Sequence, residues 1–128
     1  MEPLQALRRI FKEAEDLESA DDLLQLIVTR VKESTGSDVC SIYLQDELSD
    51  DWVLVASEGL SDRAVGAVRM KTGEGLVGSI CEAQTLLNLE DGSLDKNYRY
   101  FPETGEEHFS GFLGVPIISF RRLMGVLV

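Results

Sequence analysis

At Gly36 the spacing of apolar residues changes from every third or fourth position to every second one, and that switch limits the folds open to this chain. Before it, Leu23, Leu24, Ile27 and Val31 recur at helical spacing. Ser19 is placed as an N-cap, Asp22 as a capping-box-like acid three residues on, and Gly36 as the stop. Further upstream, Leu4, Leu7, Ile10, Phe11, Ala14 and Leu17 form a separate amphipathic stripe, with Arg8, Arg9, Lys12 and Glu13 on the wet side. After Gly36, Cys40, Ile42 and Leu44 alternate with Val39, Ser41 and Tyr43. Both sets are largely apolar, so this strand is expected in mid-sheet with material packed on each face.

The remaining segments extend that sheet. An acidic loop from Gln45 to Asp51 leads into a returning strand, Trp52 to Ser57, and Ala67 to Met70 reads as a short strand. Gly73 to Ile80 reads as a glycine-rich turn entering a helix, followed by a short strand from Thr85 to Leu89. Residues 90–110 form a long polar and aromatic stretch without period, the kind of loop that is usually functional or mobile. Gly111–Ile118 and Leu123–Val128 then read as a hairpin around Phe120-Arg121-Arg122. Two helices, two strands, a short strand, a helix and three more strand segments predict an α+β domain with an antiparallel sheet. The chain stops inside an apolar strand, an aggregation hazard if left unpaired, so a fragment of a longer protein is expected.

With 128 residues there is material for one core, and the net charge of −11 argues against nucleic acid or an anionic membrane as a partner. No stretch reaches the roughly 20 apolar residues of a membrane span, and the first residues do not read as a secretory signal. Cys40 and Cys81 stand far apart in apolar surroundings, as expected of buried thiols in a reducing cytoplasm. A single His and no Cys-x-x-Cys leave no metal-ligand spacing.

The stretch Gly73-x-Gly75-x-x-Gly78 matches a dinucleotide-binding pattern letter for letter, but its context does not. No long strand precedes it, and Asp91 and Asp95 fall in the irregular segment rather than after a partner strand. A tight turn followed by a helix lying close on a sheet accounts for more of its residues. The amides at the helix start still offer partial positive charge to a ligand.

Gly73-Glu74-Gly75-Leu76-Val77-Gly78, Phe112-Leu113-Gly114-Val115-Pro116-Ile117 and Gly125-Val126-Leu127 together resemble the successive signatures of a GAF domain. The run from Arg99 to Glu107, with Phe109 and Phe112–Ile117, is similar to the N-terminal GAF domains of nitrogen-type phosphoenolpyruvate–protein phosphotransferases. The resemblance implies a six-stranded antiparallel sheet with helices packed on it, over residues 19–128, lacking the end of the last strand and a C-terminal helix. It implies a regulatory domain that senses nitrogen status, with glutamine as proposed effector, and controls autophosphorylation by catalytic domains elsewhere in a cytoplasmic parent protein. Phosphoenolpyruvate and Mg2+ would belong to those other domains, and this chain itself would need no cofactor. His108 lies outside any motif and has no phosphohistidine role.

The implied pocket lies on one face of the sheet, between the 73–80 turn and the 90–110 segment. There Ser41 and Tyr43 are expected to present hydroxyls, and Gly75 and Leu76 their amides. Phe101, Phe109 and Phe112 would wall the pocket. Asp91, Glu103 and Glu106 would receive an ammonium group, and Arg69 and Arg99 a carboxylate. The 1–18 helix is expected to pair two copies into a homodimer through Leu4, Leu7, Ile10, Phe11, Ala14 and Leu17. Two other functions compete: a homodimerisation module with a vestigial pocket, and a thiol-dependent free methionine sulfoxide reductase, which needs an exposed, activated cysteine.

Overall fold

The computed structural model describes residues 5, 20–98 and 111–128. The dimerisation stripe expected over Leu4, Leu7, Ile10, Phe11, Ala14 and Leu17, and the Ser19 cap, lie outside the described residues.

Helix α1 spans Ala20–Thr35, with Asp21 and Asp22 in its first turn and Lys32 in its last, each sign matched to the helix dipole. It ends as the sequence suggests: Gly36 takes a left-handed φ of 68° and its N–H donates to the Lys32 carbonyl at 3.0 Å. Its anchor is Val28, which is completely buried, with Leu24, Ile27 and Val31 half-buried around it. The periodic reading passed over Val28, although it shares the face of Leu24 and Val31.

Six strands form one antiparallel sheet in the order β3-β2-β1-β6-β5-β4. They are β1 (Cys40–Gln45), β2 (Trp52–Glu58), β3 (Arg69–Met70), β4 (Leu87–Leu89), β5 (Phe112–Ser119) and β6 (Arg122–Leu127). β1 lies in mid-sheet, as its two apolar faces require, between β2 and β6. Cys40 and Ile42 pack with Val28 and Ala56 under α1. Tyr43 belongs to the opposite core, with Trp52, Leu54, Met70, Val77, Ile80, Cys81 and Val126. A bulge between Ile42 and Tyr43 shifts the register against β2.

The apolar strand at the end of the sequence is not left open. β6 pairs with β1 on one side and β5 on the other, and Ser41 and Val128 exchange backbone hydrogen bonds of 3.0 and 2.9 Å. Helix α2, Gly75–Ala83, covers the Tyr43 face, burying Leu76, Val77, Ile80 and Cys81. Each such aliphatic side chain contributes about 1.5–3 kcal/mol through burial. α2 ends at Gln84, a non-glycine residue in the left-handed region whose N–H donates to the Ile80 carbonyl.

Two expected strands are shorter in the fold. β3 keeps only Arg69–Met70 of the Ala67–Met70 run, because Val68 and Ala67 donate back to Ala64 and close a turn. β4 loses Thr85 and Leu86, and Leu86 is exposed.

Candidate functional site

A cavity of about 600 Å³ opens on the face of the sheet that also carries α2. Val31 and Thr35 at the end of α1 also line it, and four other pieces of chain supply much of the wall. β1 contributes Ser41 and Tyr43, and the first turn of α2 contributes Leu76 and Val77. β4 and the 3-10 turn after it (Gly92–Leu94) contribute Asn88, Leu89, Gly92 and Ser93, and the start of β5 contributes Phe112. Tyr98, Ser37 and Asp38 add polar groups, while Leu60, Met70 and Val128 add apolar surface.

Each wall has a local cause. Gly73 and Gly75 adopt positive φ of 88° and 68°, so the chain turns sharply and α2 starts directly against the sheet. Gly78 lets α2 sit on that turn: a Cβ there would drive into the Lys71 carbonyl oxygen. The Gly73 N–H donates to the Gly78 carbonyl at 2.8 Å, which ties the turn to the helix. On the opposite wall, the Asp91 carboxylate accepts from the Ser93 N–H at 3.0 Å and its hydroxyl at 2.6 Å. Asp91 thereby holds the Gly92–Ser93 turn against the cavity without lining it.

Of the expected ligand residues, Ser41, Tyr43, Leu76 and Phe112 are brought together at this cavity. Ser41 is buried and shares a 2.9 Å hydrogen bond with the Ser57 hydroxyl, so its oxygen is held in place while keeping hydrogen-bonding capacity for a ligand. Gly75 shapes the turn and does not line the cavity. Arg69 stands elsewhere, beside the β1–β2 turn, where its guanidinium pairs with Asp46 and Asp51. Asp46 also accepts from the Leu48 N–H, and that bond first, with Arg69 next, holds its carboxyl below the usual range. Arg99, Phe101, Glu103, Glu106 and Phe109 lie outside the described residues.

Sequence reasoning missed Asn88, Ser93 and Tyr98, which reach the cavity through the antiparallel pairing of β4 with β5 and the turn beyond β4. The Asp91-x-Ser93 spacing, typical of an Asx turn, was the one local signal available. Among the described lining residues there is no Lys, Arg or His, and Asp38 is the one formally charged side chain. These walls therefore offer hydroxyls, an amide, one carboxylate and apolar surface, with nothing among the described residues to neutralise a phosphate.

Both thiols are unsuited to nucleophilic chemistry. Burial pushes Cys40 up to about 11 and Cys81 up to about 12, away from the thiolate that attacks sulfoxides or disulfides. No cluster of candidate metal ligands occurs among the described residues. No helix among them is long and apolar enough to cross a membrane.

The family profile for the GAF domain matches residues 19–128, the full extent of the sheet and both its helices. The chain belongs to the GAF domain family. The GAF domain of a phosphoenolpyruvate-protein phosphotransferase from Coxiella burnetii is 40% identical, with a TM-score of 0.87 over 97% of this chain and 74% of that one. The corresponding GAF domain from Acinetobacter is 39% identical, with a TM-score of 0.82 over 97% of this chain and 73% of its own. A protein of Escherichia coli (strain K12) described as "Phosphoenolpyruvate-dependent phosphotransferase system" is 34% identical over 120 residues. That alignment takes in 94% of this chain but 16% of the Escherichia coli protein. The six-stranded antiparallel architecture expected of a GAF domain is the one observed.

Proposed function

We propose that this GAF domain senses a small polar effector and regulates a phosphoenolpyruvate–protein phosphotransferase to which it is joined, in nitrogen signalling in the cytoplasm. The observation that carries this reading is the cavity: about 600 Å³, walled by the GAF signature segments around Leu76 and Phe112, with the Ser41 and Tyr43 side chains on its floor. That volume suits a metabolite-sized ligand. The similarity to GAF domains of phosphoenolpyruvate-protein phosphotransferases supports the choice of parent enzyme. In such a protein the phosphoryl chemistry, with phosphoenolpyruvate and Mg2+, falls to other domains, and this domain sets how readily they autophosphorylate.

Glutamine is the first candidate effector, because its amide and ammonium groups complement hydroxyls and a carboxylate such as Asp38. The walls favour it over cyclic nucleotides and 2-oxoglutarate on net charge: glutamine's carboxylate is balanced by its own ammonium, whereas those ligands are net anions facing no described cation and one carboxylate, Asp38. Titration calorimetry and thermal shift with glutamine, other amino acids, 2-oxoglutarate and cyclic nucleotides test the reading. Saturable binding of one amino acid with a raised melting temperature is the expected result. No response to any of them at up to about 10 mM, a concentration that detects even millimolar dissociation constants, would overturn it and favour a pure dimerisation module.

A further inference from the structure

The β1–β2 and β5–β6 turns leave the sheet at the same end. β1 and β6 are neighbours, antiparallel, with Leu44 opposite Gly125, so the turn that follows β1 stands beside the one that precedes β6. The two turns carry opposite charge. The first presents Glu47 and Asp50, both exposed and without an ion-pair partner among the described residues, while its Asp46 and Asp51 are engaged by Arg69 and Lys71. The second presents Arg121 and Arg122, also exposed and without an ion-pair partner among the described residues. From Gly111 to Val128 these two arginines stand with no Asp or Glu, in a chain whose net charge is −11.

Each turn also bears a projecting apolar side chain. Leu48 is 97% exposed on the acidic turn and Phe120 is 101% exposed on the basic one, flanked by exposed Ile118 and Met124. The basic turn is built at some conformational cost. Phe120 and Arg121 adopt φ of 51° and 64°, the left-handed pair that Asn-Gly fills with least strain in a two-residue hairpin. An ordinary solvent-facing turn has no use for phenylalanine there.

We infer that this end of the sheet is a docking surface for a second copy of this chain. A two-fold axis along the sheet normal places the two sheets end to end and sets the acidic turn of each copy against the basic turn of the other. The contact is made twice over, with Phe120 of one copy meeting Leu48 of its partner copy. The other two-fold that brings these ends together sets like charges opposite each other, so charge selects the first. The surface uses none of the residues of the N-terminal stripe and is independent of any effector in the cavity. Turn tips alone cover less than the roughly 1,200 Å² of a standard interface, so the association is weak and sensitive to salt.

Sedimentation velocity of the chain over rising concentration, with Glu47→Arg/Asp50→Arg and Arg121→Glu/Arg122→Glu variants, tests this. The unaltered chain is expected to self-associate at about 0.15 M salt, where the repulsion between two copies of net charge −11 is screened while the close turn-to-turn pairs persist. Each charge-inverted variant alone should lose one step of self-association relative to the unaltered chain, and an equimolar mixture of the two should recover it. All four altered side chains are exposed, but Asp50 and Arg121 hold left-handed φ of 61° and 64°, so a small drop in melting temperature is expected, chiefly from Asp50→Arg, and sedimentation is run well below it. Phe120→Asn adds a readout: it relaxes the turn and should raise the melting temperature while weakening the dimer. A chain that stays monomeric throughout, a self-association that none of the inversions alters, or a mixture that associates no more than either variant alone would each overturn the inference.

Discussion

Replacing Gly78 by Ala sets two effects of opposite sign against each other inside α2. Helix propensity alone favours the change, because Ala is about 1 kcal/mol better than Gly in a helix interior. Packing opposes it. The new Cβ would enter the space of the Lys71 carbonyl oxygen and also crowd the backbone of Gly73. Neither neighbour can swing aside like a side chain. The Lys71 carbonyl already accepts from the Glu74 N–H at 2.9 Å, and Gly73 is tied to the Gly78 carbonyl. Overpacking costs about 1–3 kcal/mol, and a backbone obstacle puts this site at the upper end. The net expectation is a loss of about 2 kcal/mol, or roughly 6–10 °C in melting temperature for a domain of this size. Thermal and urea unfolding followed through buried Trp52, the single tryptophan, would measure it. Gly36→Ala is the control: its Cβ would meet nothing within 4 Å, so it should lose only the roughly 1 kcal/mol of its left-handed φ. If Gly78→Ala melts at or above the parent temperature, helix propensity has won and the close approach of α2 to the 71–75 turn is not a constraint.

Thr72→Val removes the partner of the buried Trp52 indole N–H, now 2.9 Å from the Thr72 hydroxyl, and should cost about 1 kcal/mol in urea unfolding because water can reach exposed Thr72. The two thiols should be inert to a disulfide reagent in the native chain at pH 8 and react only on unfolding. They also predict alkaline weakening. Their folded values, about 11 and 12, stand above an ordinary value of 9.0, so above pH 9 the unfolded chain loses these protons while the folded one keeps them. Stability should therefore fall as pH rises from 9 towards 11, and Cys40→Ala/Cys81→Ala should flatten that slope. Ser41→Ala and Tyr43→Phe should each weaken effector binding about tenfold in calorimetry, the value of one hydrogen bond, whereas Arg69→Ala should leave it unchanged.

The alternation through Cys40, Ser41, Ile42 and Tyr43 is readable in the sequence because a mid-sheet strand must satisfy two apolar faces, and the structure puts Cys40 and Ile42 in one core and Tyr43 in the other, with Ser41 buried at the cavity. The Gly36 stop is readable for the same kind of reason, since a left-handed turn leaves a residue-type signature. Gln84 carries no such signature: it takes the same conformation without glycine, and the end of α2 passes unannounced. The site divides along the same line. Ser41, Tyr43, Leu76 and Phe112 sit on strongly patterned elements and are identifiable. Asn88, Ser93 and Tyr98 depend on where β4 docks, and a three-residue strand has no periodicity of its own to declare its partner.

The sheet order holds one further consequence. β1 pairs directly with β6, so the seam in mid-sheet joins the beginning and the end of the six-strand run. Everything from β1 to β3 and everything from β4 to β6 can form as local units, and the seam and the packing of α2 across it bring them together. The loop to be closed is nearly the whole domain, which makes this pairing late and slow in folding. During synthesis Ser41 and Tyr43 would wait, half of a vessel, for Phe112 and Val128 to leave the ribosome. A molecule that fills the vessel would then act as a clasp, holding shut a seam that α2 also spans.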